Sequence, residues 1–323
     1  MRTNVMRART LVLLAAAASW AGPGLAAQDL NIPIPIDSLE YLLESADFDL
    51  PDDLTGTRFQ GDRTMRVNLR FDEATTILTK WAPAPQGGEA FNNVPRYEVA
   101  AYELQKLFLD EADIVVPPTV MRAMPLDWYR TLSRDVDPTF RRAQAVLVVL
   151  QSFVNFVTDE DVWDEDRFDA EPAYARNWAN ANLFTYLIRH SDSNAGNLLI
   201  SSFSSNPRIF AVDNGVAFNS IESDRGTRWR SLLVNRFPAV TVERLRAVTE
   251  DQLHETLGVL AQWEVQDGAL VRVPPTENID RRRGVRERDG RIQIGLTDDE
   301  IDDTWYRLEV FLRAVDSGRY QTF

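Results

Sequence analysis

One stretch constrains this chain more than any other: residues 183–218, LFTYLIRHSDSNAGNLLISSFSSNPRIFAVDNGVAF. An apolar segment ending near His190 reads as a helix. Ser191-Asp192-Ser193-Asn194-Ala195-Gly196-Asn197 reads as a polar loop. Leu198-Leu199-Ile200 and Ile209-Phe210-Ala211-Val212 read as two short strands joined by a Ser/Asn/Pro turn, and the second delivers Asp213-Asn214-Gly215 at its end. Phosphoryl transfer from ATP needs such a set. One carboxylate orients and deprotonates the attacking hydroxyl. An amide oxygen five residues later reaches a divalent metal. A second carboxylate, at a strand end before a glycine turn, holds the metal that bridges the phosphates. In this chain those residues are Asp192, Asn197 and Asp213, with Mg²⁺ or Mn²⁺ as the metal. A helix followed by a plain β-hairpin, with Asp-Asn-Gly as turn chemistry, is the simpler alternative. The order and spacing of the three residues favour the first reading.

Length and charge narrow the remaining choices. With 323 residues and 44% apolar composition, the chain can build one large domain or two lobes of a single enzyme. Arg2, Arg7 and Arg9, the short apolar run Leu11 to Ala18, and small residues at Gly24 to Ala27 read as a signal peptide over residues 1–27. The apolar run is shorter than the roughly 20 residues needed to cross a bilayer, so no stable membrane anchor is expected after cleavage. The segment carries three Arg and no acid. The mature chain is therefore more acidic than the −14 of the whole sequence. That charge disfavours nucleic acid as a partner. There is no Cys and there are only two His, so disulfide frameworks, thiolate zinc sites and His-rich metal sites are excluded. The expected location is periplasmic or secreted.

Upstream, residues 28–55 read as an N-terminal extension. It has one amphipathic helix from Asp37 to Ala46 and either packs on the body or serves as a mobile linker. Gly56 and Gly61 flank a loop ahead of two strands, Thr64 to Phe71 and Thr75 to Trp81. Gly61 could help to cover phosphates, or the loop could be ordinary. Lys80 ends the second strand. It is one of only two lysines, with Lys106, among 35 basic residues. A lysine kept in so Arg-biased a chain suggests a need for a compact point charge, such as a contact to the α/β-phosphates. Pro95 opens a helix running to about Asp110, on which Glu98 or Glu103 could meet Lys80. Val115 to Met121 reads as an edge strand. The apolar run 143–157 is a buried strand or a buried helix. The acidic run 158–171 reads as a solvated loop, and Tyr174 to His190 as the helix presenting the catalytic loop. Thr241 to Trp263 reads as helical, the Arg-rich run 281–291 as a solvated hairpin, and Thr297 to Glu300 as the cap of a last amphipathic helix.

These residues carry a family resemblance. Asp and Asn five apart, then Asp-x-Gly after two strands, is similar to the protein-kinase pattern. From about Gly61 to Phe218 the chain resembles the atypical secretory-pathway kinases, the Golgi casein kinase and Four-jointed group. GDRTMRVNLRFDEATTILTKWAPA looks like their strand, turn and lysine strand. PRYEVAAYELQKLFLDEADIVVPPTVMR is similar to their helix and Val-Pro-Pro strand. DSNAGN and VDNGVAF also resemble type II phosphatidylinositol 4-kinases. The resemblance implies that Glu98, rather than Glu103, partners Lys80, and that Arg66 stands where a second phosphate-contacting base lies. The Golgi enzymes carry disulfides, which this chain cannot form. The expected fold is α+β and two-lobed, protein-kinase-like, with a small β-rich N-lobe at 56–150 and a mainly helical C-lobe at 151–323. The expected function is transfer of the ATP γ-phosphoryl group to a hydroxyl-bearing acceptor: protein Ser/Thr, sugar or lipid head group. Nucleotidyl transfer on the same fold, or a pseudokinase that only binds, are the alternatives.

Overall fold

The computed structural model describes residues 29–50, 55–56, 64–91, 93–192, 195–218 and 234–323. The signal-peptide segment and Gly61 lie outside them. The chain begins with helix α1 (Ile36–Glu44). Strands β1 (Thr55–Gly56), β2 (Met65–Arg70) and β3 (Thr76–Pro83) follow, then helix α2 (Pro95–Gln105), strand β4 (Thr119–Pro125), helix α3 (Leu126–Leu132) and strand β5 (Ala145–Ser152). These strands form one five-stranded sheet, ordered β1-β2-β3-β5-β4. Lys80 lies opposite Arg66 on β2 and Gln151 on β5, so the three share one face.

The ambiguous apolar run is a strand. All eight residues of β5 are buried, and a short β-branched segment covered on both faces suits a central strand better than a helix. The edge strand starts four residues later than expected, at Thr119. Residues 114–118 instead form a loop held by Gln105, whose side chain bonds the Val115 and Val116 amides and the Val116 carbonyl. On the sheet face away from Lys80, Val67, Leu69, Trp81, Val148 and Leu150 close a core with Leu43 of α1. The Trp81 indole donates to the Tyr129 hydroxyl at 3.1 Å, satisfying the one polar atom this ring buries.

The larger lobe starts with β6 (Val157–Thr158). Helices α4 (Glu165–Ala170) and α5 (Pro172–Leu187) follow, then β7 (Leu198–Ser201) and β8 (Ile209–Ala211). The acidic run 158–171 is not wholly loop, because Asp164 caps α4 by accepting from the Arg167 amide at 3.0 Å. Helix α5 has apolar or small residues around most of its circumference. It runs through the main core with Trp178, Ala179, Leu183 and Phe184 buried.

After β9 (Arg236–Phe237), α6 (Ala239–Ala247) and α7 (Glu250–Leu257), the expected helix stops. A four-stranded antiparallel sheet takes its place: β10 (Ala261–Gln266), β11 (Ala269–Val273), β12 (Val285–Arg288) and β13 (Arg291–Ile294), ordered β11-β10-β13-β12. Two Asp-Gly turns explain it. Asp267-Gly268 and Asp289-Gly290 all have positive φ, between 49° and 85°, the backbone that a two-residue hairpin turn requires. This sheet packs against the small lobe. Trp263, Ile292 and Ile294 share a core with Val99 of α2 and Met121, Leu147 and Val149 of β4 and β5. The last helix, α8 (Asp298–Asp316), opens on a complete capping box between Thr297 and Glu300. The short β14 (Gln321–Thr322) then pairs with β9.

The N-terminal segment threads between the lobes. Asp29 ion-pairs with Arg208 in the large lobe. The Asn31 carbonyl accepts the Asn155 amide at 3.0 Å, and the Asn31 side chain donates to the Asn155 carbonyl at 2.8 Å. Ile32 and Leu39 join Ile77 of β3 and Phe210 of β8 in one apolar cluster.

Candidate active site

The cleft between the lobes has a volume of about 1450 Å³, and Lys80, Glu98, Asp192 and Asp213 all line it. Each is placed by a different element. Strand β3 carries Lys80 and α2 carries Glu98. The loop after α5 carries Asp192, and Asp213 follows β8.

Lys80 sits between two carboxylates. Its Nζ is 2.8 Å from Glu98 Oε1 and 3.1 Å from Asp213 Oδ1. Glu98 uses its other oxygen to accept the Asn214 backbone amide at 3.0 Å. One carboxylate thus ties the lysine strand of the small lobe to the Asp-Asn-Gly turn of the large lobe. Burial works to lower the Lys80 pKa, but Glu98 and Asp213 outweigh it and hold the amine above the ordinary lysine range. Glu103 lies elsewhere, paired with Lys106 at 2.9 Å.

The Asp213 carboxylate opens to the cleft, its side chain 60% exposed, whereas Lys80 and Glu98 are 17% and 7% exposed. The Lys80 charge holds the Asp213 pKa below the usual carboxylate value. Asp213 is therefore ionised throughout the neutral range. The attraction it lends the fold is present above the ordinary carboxylate pKa and is lost only as pH falls through the lowered one. Its backbone is left-handed, φ 60°, a conformation Asp tolerates better than most residues. Such strain is often retained at working sites.

Opposite, the loop folds on itself. Asn197 donates from Nδ2 to the Asp192 carbonyl at 2.7 Å and to Asp192 Oδ2 at 3.1 Å, and its own carbonyl accepts the Val212 amide at 2.9 Å. Asn197 therefore fixes Asp192 on one side and the end of β8 on the other. Asp213, Asn197 and Asp192 offer only oxygen donors, which fits a hard divalent cation such as Mg²⁺ or Mn²⁺ rather than a thiolate or imidazole metal.

In the sequence His190 marks only the end of the helix before the loop. It is fully buried beneath the loop and hydrogen-bonded to the Val212 backbone. Burial lowers its pKa against the pull of nearby Asp213, Glu98 and Asp192, so the ring is neutral. Because burial favours the neutral ring, its contribution to stability is full above the ordinary histidine value and is lost as pH falls from there through the lowered one. The signal available in the sequence was position: a histidine two residues before Asp192.

Arg66 faces the same side of the sheet as Lys80. Its guanidinium packs over the Phe153 ring at 5.1 Å, in the connector between the lobes. Away from the cleft, Glu250, His254 and Asp302 each place a ligand atom within 4.8 Å of the others. His254 lies 3.4 Å from Asp298 and 3.3 Å from Asp302, which makes the group an interhelix contact between α7 and α8.

Among solved structures the chain is similar to that of hydra Fam20 with sugar. The TM-score is 0.52 over 91% of this chain and 92% of that one, at 12% identity. At that identity the likeness is one of fold, and the fold is the two-lobed, mixed α/β kinase-like one. No protein-family model matches the sequence, and no curated protein matches it. Among the described residues, no helix is long and apolar enough to cross a membrane.

Proposed function

We propose that this protein is an exported atypical kinase that transfers the γ-phosphoryl group of ATP to a hydroxyl-bearing acceptor. The observation that carries the reading is the placement of the Lys80 amine between Glu98 and Asp213, in a cleft also lined by Asp192, which Asn197 fixes within its loop. A site built for phosphate needs a fixed point charge on the nucleotide side and oxygen ligands for cations facing it.

Lys80 holds the α/β-phosphates, and Glu98 fixes Lys80. Asp213 and Asn197 hold Mg²⁺ or Mn²⁺, which when bound screens the phosphate charge. Asp192 aligns the acceptor hydroxyl and takes its proton as the oxygen attacks the γ-phosphorus, the bond from that phosphorus to the β–γ bridging oxygen breaks, and ADP leaves. Little covalent chemistry is asked of the chain, so positioning and charge supply most of the rate. The family resemblance supports Arg66 as a second phosphate-contacting base.

ATP with Mn²⁺ should raise the melting temperature of the mature protein, and neither should do so alone. At a ligand concentration of 100 times Kd the expected gain is about 2.7 kcal/mol. Label from γ-labelled ATP should leave the nucleotide. Transfer of α-label instead would identify the enzyme as a nucleotidyl transferase, and the absence of any nucleotide effect would overturn both readings.

Export rests on the leader at residues 1–27. Mass spectrometry of protein from its native host should find an N-terminus near Ala27 or Gln28. Recovery of only a full-length cytosolic form would overturn the proposed periplasmic or secreted location.

A further inference from the structure

The helix that carries Glu98 is gripped from behind. Ten of the eleven residues of α2 are buried, although a helix at the edge of a small lobe would ordinarily show one face to water. Arg96 explains much of this. It lies two residues before Glu98, roughly 200° round the helix, so it points away from the cleft while Glu98 points into it. Its guanidinium reaches Glu300, the third residue of α8, through Nη1 at 2.6 Å and Nη2 at 2.9 Å. Its Nε donates to Glu89 at 2.7 Å, and Nη1 also meets the Gly295 carbonyl at 3.3 Å. The neighbouring Tyr97 hydroxyl donates to Glu300 as well. Burial works to raise the Glu300 pKa, but Arg96 outweighs it and keeps the carboxyl ionised.

The socket is shaped for that guanidinium. A Cβ on Gly284 would fall 2.0 Å from Arg96 Nε and 2.2 Å from Cζ, far inside contact distance. The backbone of Gly284 has no left-handed φ that would call for glycine. Close approach is therefore what requires it. The wall of the socket is the sheet β10–β13 together with the start of α8, so the C-terminal third of the chain returns to hold α2 in place.

We infer that Arg96 and Glu300 form a positioning clamp that fixes α2 so that Glu98 stays on Lys80 and on the Asn214 amide. Both are positioning residues; neither lines the cleft. The inference rests on the nucleotide-binding reading of the cleft. A helix so held does not swing away from the lysine strand, and the Lys80–Glu98 pair stands assembled without nucleotide, as the 2.8 Å contact records.

The test uses the full mature chain and calorimetric titration with Mn·ATP. Two perturbations reach the clamp by different routes. Gly284→Ala displaces the guanidinium and leaves every charge in place. Arg96→Met with Glu300→Leu removes the pair but fills its volume, a replacement that commonly preserves stability and so guards against simple unfolding. Each should weaken Mn·ATP binding about tenfold, the scale of a misplaced charge-assisted hydrogen bond. Neither should weaken it further in a Glu98→Gln background, because the clamp acts only through Glu98. A merely structural role predicts the same loss in both backgrounds. Additive losses, or unchanged affinity in a folded Arg96→Met/Glu300→Leu protein, would overturn the clamp. If the unaltered protein does not bind Mn·ATP, the nucleotide reading fails, and this inference fails with it.

Discussion

Asp213→Ala should abolish both nucleotide binding and turnover, whereas Asp192→Ala should abolish turnover alone. The two carboxylates share a cleft but not a task. Asp213 projects into the cleft at the end of β8, touching Lys80 at 3.1 Å. Without it the triphosphate loses its main cation ligand, and Mn·ATP affinity should fall by about a hundredfold or more. Asp192 is tied to the Asn197 amide across the loop and in the proposed reaction receives the acceptor's proton. Its removal should cost about 10²–10⁴ in turnover, the range for a general base, with affinity changed little. Calorimetry on each variant, paired with release of label from γ-labelled ATP, reads the two quantities separately. Loss of binding in the Asp192 variant with retention in the Asp213 variant would reverse the assignment.

Lys80→Ala should lower turnover by about a hundredfold or more, because a displaced phosphate chain no longer points its γ-phosphorus at the acceptor. Stability should fall as well. Glu98 is 7% exposed, and removing the partner of a buried charge costs about 3–5 kcal/mol. The experiment must therefore report melting temperature alongside rate, at a temperature where the variant is folded. Lys80→Arg separates the two effects. It restores a positive charge to Glu98 and hence much of the stability. It should not restore turnover, because a planar fork cannot sit between two carboxylates 2.8 and 3.1 Å away as a point charge does. Equal recovery of rate and stability with Arg would show that Lys80 serves the fold alone.

Much of the site could be read from the chain because it depends on local order. Asp192, Asn197 and Asp213 lie within 22 residues, on elements whose boundaries are marked by Leu/Ile runs and by Ser, Asn and Gly turns. Composition singled out Lys80. The choice between Glu98 and Glu103 could not be made from periodicity, since both lie on one helix with little amphipathic contrast, and it came from the family resemblance. Long-range partners were less legible. Arg96 finds Glu300 across 204 positions, and no local pattern pairs them. The sheet β10–β13 is legible only in part. The β12–β13 hairpin falls on the run read as a solvated hairpin, whereas β10, which alternates strictly as Ala261-Gln262-Trp263-Glu264-Val265-Gln266, overlaps the end of a segment read as helical. The Asp-Gly dipeptides at 267–268 and 289–290 were the better guide, since each supplies the two positive-φ residues of a tight hairpin.

The strap at residues 29–34 alters how the cleft can breathe. In a two-lobed enzyme with a single connector, one chain segment absorbs the whole rotation when the lobes part. Here the connector at Asn155 is doubled, because Asn31 bonds it in both directions while Asp29 is fastened to Arg208 in the large lobe and Ile32 and Leu39 lie against β3. Two strands of chain must bend together, and the shared apolar cluster must slide, before the lobes can part. The segment at 29–34 is then a working part of the hinge, and its bonds to Asn155 and Arg208 set its stiffness.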